Sequence, residues 1–183
     1  MIRTARAFAA VWPLIAVLLV PGRTLAQEAP TTWNRWWAGA SFGATTYRVT
    51  GEGLWAIVGA QAGWARGRHG VFAHYVYATK AEAAQGFGPF FDSDNSLEGL
   101  GAVYALVLRR PMLELSVGAG PELSWGRDED EGSLGVVPGL ATSFRAMVVP
   151  SGFVAVGVET RVSASSHATY GAFMIKMEIG RVR

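Results

Sequence analysis

The 183-residue chain contains no cysteine, and only 16% of its residues are charged, against roughly 25% in an ordinary soluble domain. The absent thiols exclude disulfide scaffolds, thiolate zinc sites, thiol nucleophiles and lipid attachment through an N-terminal cysteine. Walker loops, dinucleotide fingerprints and basic-aromatic stripes are missing as well, so no cofactor and no nucleic-acid partner are expected. No run of apolar residues is long enough for a membrane-spanning helix, which needs about 20.

One short apolar run stands out. Arg3 and Arg6 precede an uncharged stretch from Ala7 to Val20, Pro21 and Gly22 end it, and Thr24-Leu25-Ala26 offers small residues for cleavage. This is the layout of a secretory signal, with cleavage expected after Ala26. Its loss removes Arg3, Arg6 and Arg23, leaving 13 basic residues against 14 acidic ones. The expected organisation is a signal over 1–26, a periplasmic segment over 27–35 and one domain over 36–183.

The remainder alternates with a period of two. In Leu113-Glu114-Leu115-Ser116-Val117-Gly118-Ala119-Gly120 the odd positions are apolar and the even ones polar or glycine, which makes a two-faced strand. The same pattern predicts eight strands: 36–47, 54–65, 71–79, 97–108, 112–125, 134–148, 153–163 and 170–180. Three of the connections are short: Arg66–Gly70, Arg109–Pro111 and Val149–Gly152. The other four, Arg48–Gly53, Lys80–Ser96, Gly126–Ser133 and Ala164–Thr169, are longer or more acidic, and the first three carry Glu52, Glu82, Asp92, Asp94 and the run Asp128, Glu129, Asp130 and Glu131. An up-and-down meander sends the two kinds to opposite ends of the sheet.

Alternation alone does not say which face is outside. The less greasy face is mostly Gly, Ser and Ala, among them Gly39, Ser41, Gly59, Gly101, Ser116, Gly118, Ser143 and Gly157. A solvated face would be rich in long polar side chains, whereas small residues suit the cramped interior of an eight-stranded barrel. The charges on that face are Glu114, Glu122, Arg145, Glu159, Arg161, Lys176 and Glu178. Enclosed charges of mixed sign can pair, while a lone charge facing lipid costs about 2–4 kcal/mol near mid-bilayer. Trp36, Trp64 (or Trp55), Tyr75, Tyr77, Tyr104 and Trp125 lie on the greasy face near strand ends, where interfacial aromatic belts form. The expected fold is therefore an all-β, eight-stranded antiparallel up-and-down transmembrane barrel with its apolar face outward. A soluble, lipocalin-like barrel is the alternative. Pro121 and Pro138 are expected to mark the outer rim, with a hairpin over 122–137 standing above it.

An aromatic-small-glycine first strand, Trp37-Ala38-Gly39-Ala40-Ser41-Phe42-Gly43, followed by seven glycine-laced strands behind an export signal, resembles the small eight-stranded outer-membrane barrels of Gram-negative bacteria. The resemblance implies a location in the outer membrane, with short turns in the periplasm and acidic loops outside. It also implies outer-membrane lipid, lipopolysaccharide, the barrel-assembly machinery and periplasmic chaperones as partners. The chain departs from that group's common aromatic last residue, ending Gly180-Arg181-Val182-Arg183.

Candidate chemistry is sparse. Lipid A deacylases among small barrels use His-x-Ser followed by Glu; the nearest match is His167-Ala168-Thr169 with Glu178, a relay that activates an ester-cleaving hydroxyl. His74, opposite in parity to Tyr75 and Tyr77, is read as a lumen hydrogen-bonder, and the scattered histidines 69, 74 and 167 suggest no metal site. The acidic run is read as a solvated hairpin tip, the sharper idea being divalent-cation bridging to lipopolysaccharide phosphates. The expected function is a non-enzymatic structural or surface-interaction barrel, with an extracellular partner at the acidic loops and with Phe87, Phe90 and Phe91 near its mouth. Its rivals are a narrow conduit for small apolar molecules and the lipid-modifying esterase.

Overall fold

A computed structural model describes residues 34–47, 54–80, 95–110, 112–128, 132–166 and 169–181. The expected export signal over 1–26, the three phenylalanines at 87, 90 and 91, His167, and acidic residues 129–131 lie outside them. The described residues form eight strands: β1 Asn34–Tyr47, β2 Leu54–Arg66, β3 His69–Lys80, β4 Ser96–Arg109, β5 Leu113–Asp128, β6 Gly132–Val148, β7 Val154–Ser165 and β8 Thr169–Arg181. Each pairs antiparallel with its neighbour in sequence, and β8 closes on β1. The architecture is an up-and-down barrel with no free edge along its body, which satisfies every interior ladder without solvent. Strands of 12 to 17 residues exceed the 3–10 usual in globular sheets and cover the ~9–11 needed by a tilted membrane strand.

The pleat sends successive side chains to opposite sides of the wall. Outside lie Phe42, Leu100, Leu106, Leu140, Phe173, Ile175, Met177 and Ile179, each exposed. Inside lie Glu114, Glu122, Arg145, Glu159, Arg161, Lys176 and Glu178, all buried. A soluble barrel would show the reverse, so the lipocalin-like alternative fails on polarity.

The inner face is not uniformly small. Trp55, Ile57, Val76, Leu97, Tyr170 and Met174 form one buried apolar cluster toward the long-connection end. Trp37, Phe72, Val103, Met147 and Val149 form another toward the short-turn end. Trp55, offered by the sequence as an alternate belt residue, belongs to the first of these clusters. Glycines make room for such bulk: a methyl group on Gly63 would come within 2.8 Å of Trp37 Cη2, and one on Gly101 would stand 2.7 Å from His74 Cε1. Gly67, at φ +59°, turns the chain between β2 and β3, a conformation that favours glycine.

The prolines do not mark the rim. The β5–β6 register runs unbroken from Leu113↔Val148 to Ser124↔Val137, passing through Pro121↔Leu140 and Leu123↔Pro138. Both prolines face outward, and Glu122 is buried in the lumen, so β5 stays within the barrel wall past Pro121. Proline is tolerated because its missing donor falls where other pairing lapses. Pairing between β4 and β5 skips the rungs at Pro121 and Gly120, and β7 ends at Ser165, opposite Gly139. The irregularity lies further on, between Ser124 and Gly126. Beyond Gly139 the β6 segment 132–138 has no β7 partner and is largely exposed.

Candidate functional site: the charged lumen

Lumen-facing polarity is built from strands that supply one or two charged residues apiece. β5 contributes Glu114 and Glu122, β6 Arg145, β7 Glu159 and Arg161, and β8 Lys176 and Glu178, all at 2% exposure or less. Arg35 joins them from β1. The alternation expected from residue 36 had placed it in the preceding segment. With Arg35 the enclosed set has four carboxylates and four basic side chains, so each sign can be matched in a medium where an unpaired charge costs several kcal/mol.

The pairs join opposite strands, neighbouring strands and positions within one strand. Arg35 Nη1 donates to Glu114 Oε2, and its Nη2 lies 3.7 Å from Glu178 Oε2. Arg145 Nη2 donates to Glu178 Oε1 and sits 3.9 Å from Glu114 Oε1. Gln61 Nε2 is a second hydrogen-bond donor to Glu178 Oε1, at 2.8 Å. Lys176 Nζ donates to Glu159 Oε2, while Arg161 grips Glu159 Oε1 through Nε at 3.1 Å and Nη2 at 2.7 Å. Aromatic faces cover the cations: the Arg35 guanidinium lies 4.1 Å from the Trp37 ring centre, and that of Arg145 lies 5.2 Å from Phe72. Within such distances a ring quadrupole attracts positive charge, more so when desolvated.

Glu122 has a different environment, made mainly of neutral groups. Ser163 Oγ and Ser124 Oγ donate to Oε1, the latter at 3.4 Å; Tyr170 OH approaches both oxygens at 3.1 and 3.2 Å; and His74 Nε2 lies 2.7 Å from Oε2. The niche exists because Gly99 and Gly101 bear no side chain: a methyl at Gly99 would meet Glu122 Cδ at 3.1 Å. Here His74 is the hydrogen-bonder that its parity indicated. Sequence reasoning passed over Gln61, Ser124, Ser163 and Tyr170. Parity was the available signal, since Gln61 falls in step with Gly59 and Gly63, and Tyr170 with Lys176 and Glu178.

These groups do not assemble a hydrolytic relay. Ser163 and His74 both address Glu122 rather than each other, so no hydroxyl is paired with a base. The deacylase-like arrangement fails on distance. Thr169 opens β8 exposed at the long-connection end, whereas Glu178 is fully buried and paired nine residues along the same strand, about 30 Å away at strand rise. No metal-binding group of three or more His, Asp or Glu occurs among the described residues.

On the outer wall, Trp36, Trp64, Tyr75 and Tyr104 are exposed, and Tyr77 and Trp125 are half-buried. Trp36 faces Trp64 across β1–β2, and Trp64 Nε1 donates to Asn34 Oδ1. Tyr77 and Trp125 both oppose Glu98 on β4, an outward carboxylate that accepts a hydrogen bond from Tyr75 OH. Asp128 ends β5.

No protein-family model matches the chain, and no curated protein matches it in sequence. Solved structures do match in fold. Neisserial surface protein A superposes with a TM-score of 0.60 at 13% identity, covering 80% of this chain and 96% of that one. Ail, the attachment invasion locus protein of Yersinia pestis, gives 0.51 at 13%, covering 80% and 97%. A structure of Ail in complex with the heparin analogue sucrose octasulfate gives 0.50 at 11%, with the same coverage. The N-terminal β-barrel domain of Pseudomonas aeruginosa OprF gives 0.50 at 10%, covering 79% and 96%. These are small eight-stranded barrels of the group the sequence resembles, and the chain shares their fold.

Proposed function

We propose that the protein is a sealed, non-enzymatic barrel of the bacterial outer membrane that serves envelope integrity or surface interaction. Its short turns face the periplasm and its acidic connections the exterior. The observation that carries this reading is the inaccessibility of the lumen charges. Glu178 is 0% exposed and Glu159 1%. A channel that passes even water would wet the side chains lining it, and apolar clusters above and below the network close the remaining space. Eight strands leave an interior that side chains can fill.

That packing also counts against a central conduit for apolar molecules. In planar bilayers the purified protein should hold a flat baseline; reproducible unitary steps would overturn the sealed-barrel reading. Unboiled protein extracted in detergent should migrate differently from boiled protein, as closed barrels resist detergent unfolding. Identical migration would remove the membrane-barrel premise itself.

An exterior partner follows from charge. Glu52, Glu82, Asp92, Asp94 and residues 128–131 crowd the long connections, which would repel a polyanion such as the sulfated sugar held by Ail. A cationic surface is the complementary match, and its binding should weaken as salt rises.

A further inference from the structure

We propose that Arg66 and Arg181, with Trp36 and Trp64 set between them, form a site on the outer wall for an anionic glycerophospholipid at the short-turn rim. The site rests on the membrane-barrel reading above and adds a ligand class to it.

Register brings the four residues together. Trp36 opposes Arg181 on β8 and Trp64 on β2, and one pleat further toward the rim Asn34 opposes Arg66. All four point outward and are exposed. With strands 4.7–4.9 Å apart, the two arginine Cα atoms lie about 12 Å from each other, so two long side chains can converge on one phosphate. The bond from Trp64 Nε1 to Asn34 Oδ1 ties the indole to the floor between them.

Charge complementarity identifies the headgroup. Neither arginine has an ion-pair partner among the described residues, and no described acid is exposed at this end of the barrel. The described acids toward this end, Glu114 and Glu178, are buried and paired within the lumen. Guanidinium groups match phosphate oxygens in geometry as well as sign.

Relief on the wall identifies the rest of the ligand. Directly inward from the tryptophans, Ala38 opposes Ala62 and Ala40 opposes Ala60, all four exposed. Met177 and Ile179 rise beside them on β8, opposite Ala40 and Ala38, and Phe42 facing Val58 closes the far end. The alanines therefore floor a shallow apolar depression that begins at the tryptophan pair. An acyl chain lying in it would place its phosphate at the arginines. A free phosphate would use only the rim.

Native mass spectrometry of the detergent-released, heat-modifiable barrel tests the proposal, with phosphatidylglycerol and phosphatidylcholine of identical acyl chains as probes. Wild type should retain phosphatidylglycerol in preference, and the R66Q/R181Q double variant should bind it about 30-fold more weakly, taking roughly one kcal/mol per arginine. Arg127→Gln, at the opposite end, should leave retention unchanged. Ala60→Leu, which fills the depression, should lower phosphatidylglycerol retention while leaving inorganic phosphate competition unaltered. Equal retention of the two lipids, indifference to R66Q/R181Q, or preference of this rim for lipopolysaccharide would each overturn the assignment. Because every variant is first checked for heat-modifiable migration, loss of the barrel itself is recognised separately.

Discussion

The outer wall and the lumen draw alternate residues from the same strands and meet opposite surroundings. In β8, Ile175, Met177 and Ile179 are each more than half exposed, while Lys176 and Glu178 between them are at 2% and 0%. Each outer position needs only to be apolar, because lipid accommodates any shape. Inner positions need a particular partner at a particular distance, because nothing else can solvate them. The wall is thus a compositional requirement and the lumen a geometric one. A one-residue slip of β8 would put Lys176 and Glu178 into lipid and three greasy side chains among the ions. Gly39, opposite Glu178 on β1, helps prevent this: a methyl there would crowd Glu178 Cγ at 3.0 Å.

The comparison breaks most severely where one lumen charge is removed. Arg145→Met leaves Glu178 short of its main donor and should cost about 3–5 kcal/mol, the range for breaking a buried pair, read as a lower urea midpoint for unfolding from vesicles. On the wall, Ile175→Arg should cost about 2–4 kcal/mol, provided the residue sits near mid-bilayer. Moving the same substitution to the rim at Ile179 should shrink the penalty, since the cost declines toward the interface. A uniform cost along β8 would argue that lipid does not cover this face.

Smaller changes sharpen the contrast. Tyr170→Phe withdraws one donor from Glu122 and leaves His74, Ser124 and Ser163 in place. A loss of about 1.5 kcal/mol is expected for a hydrogen bond to a charged group, by the same urea measurement. Glu98→Gln, on the half-exposed outer side, keeps an acceptor for Tyr75 OH and should change stability by no more than about 0.5 kcal/mol. A larger effect at Glu98 than at Tyr170 would reverse the ranking of wall and lumen.

Much of this organisation is legible in the chain. Period-two alternation predicts all eight strands to within three residues at either end, and parity alone assigns Glu114, Glu122, Arg145, Glu159, Arg161, Lys176 and Glu178 to one face. The charge of that face was misjudged by one residue, since Arg35 precedes the first clear alternation and looks like part of a leader to the barrel. Pro121 and Pro138 misled for the opposite reason. Proline signals interrupted pairing in general, but here each sits where a neighbouring ladder already lapses.

Residue order by itself determined the alternation, and with it the closed antiparallel wall and its reversed polarity, because a pleated strand cannot avoid sending neighbours to opposite sides. Only the tertiary structure decided which ions meet. Arg35 and Glu114 are 79 residues apart, and His74 and Glu122 are 48 apart. Their contact depends on the tilt and stagger with which eight strands close, a property of the whole barrel that no single strand encodes.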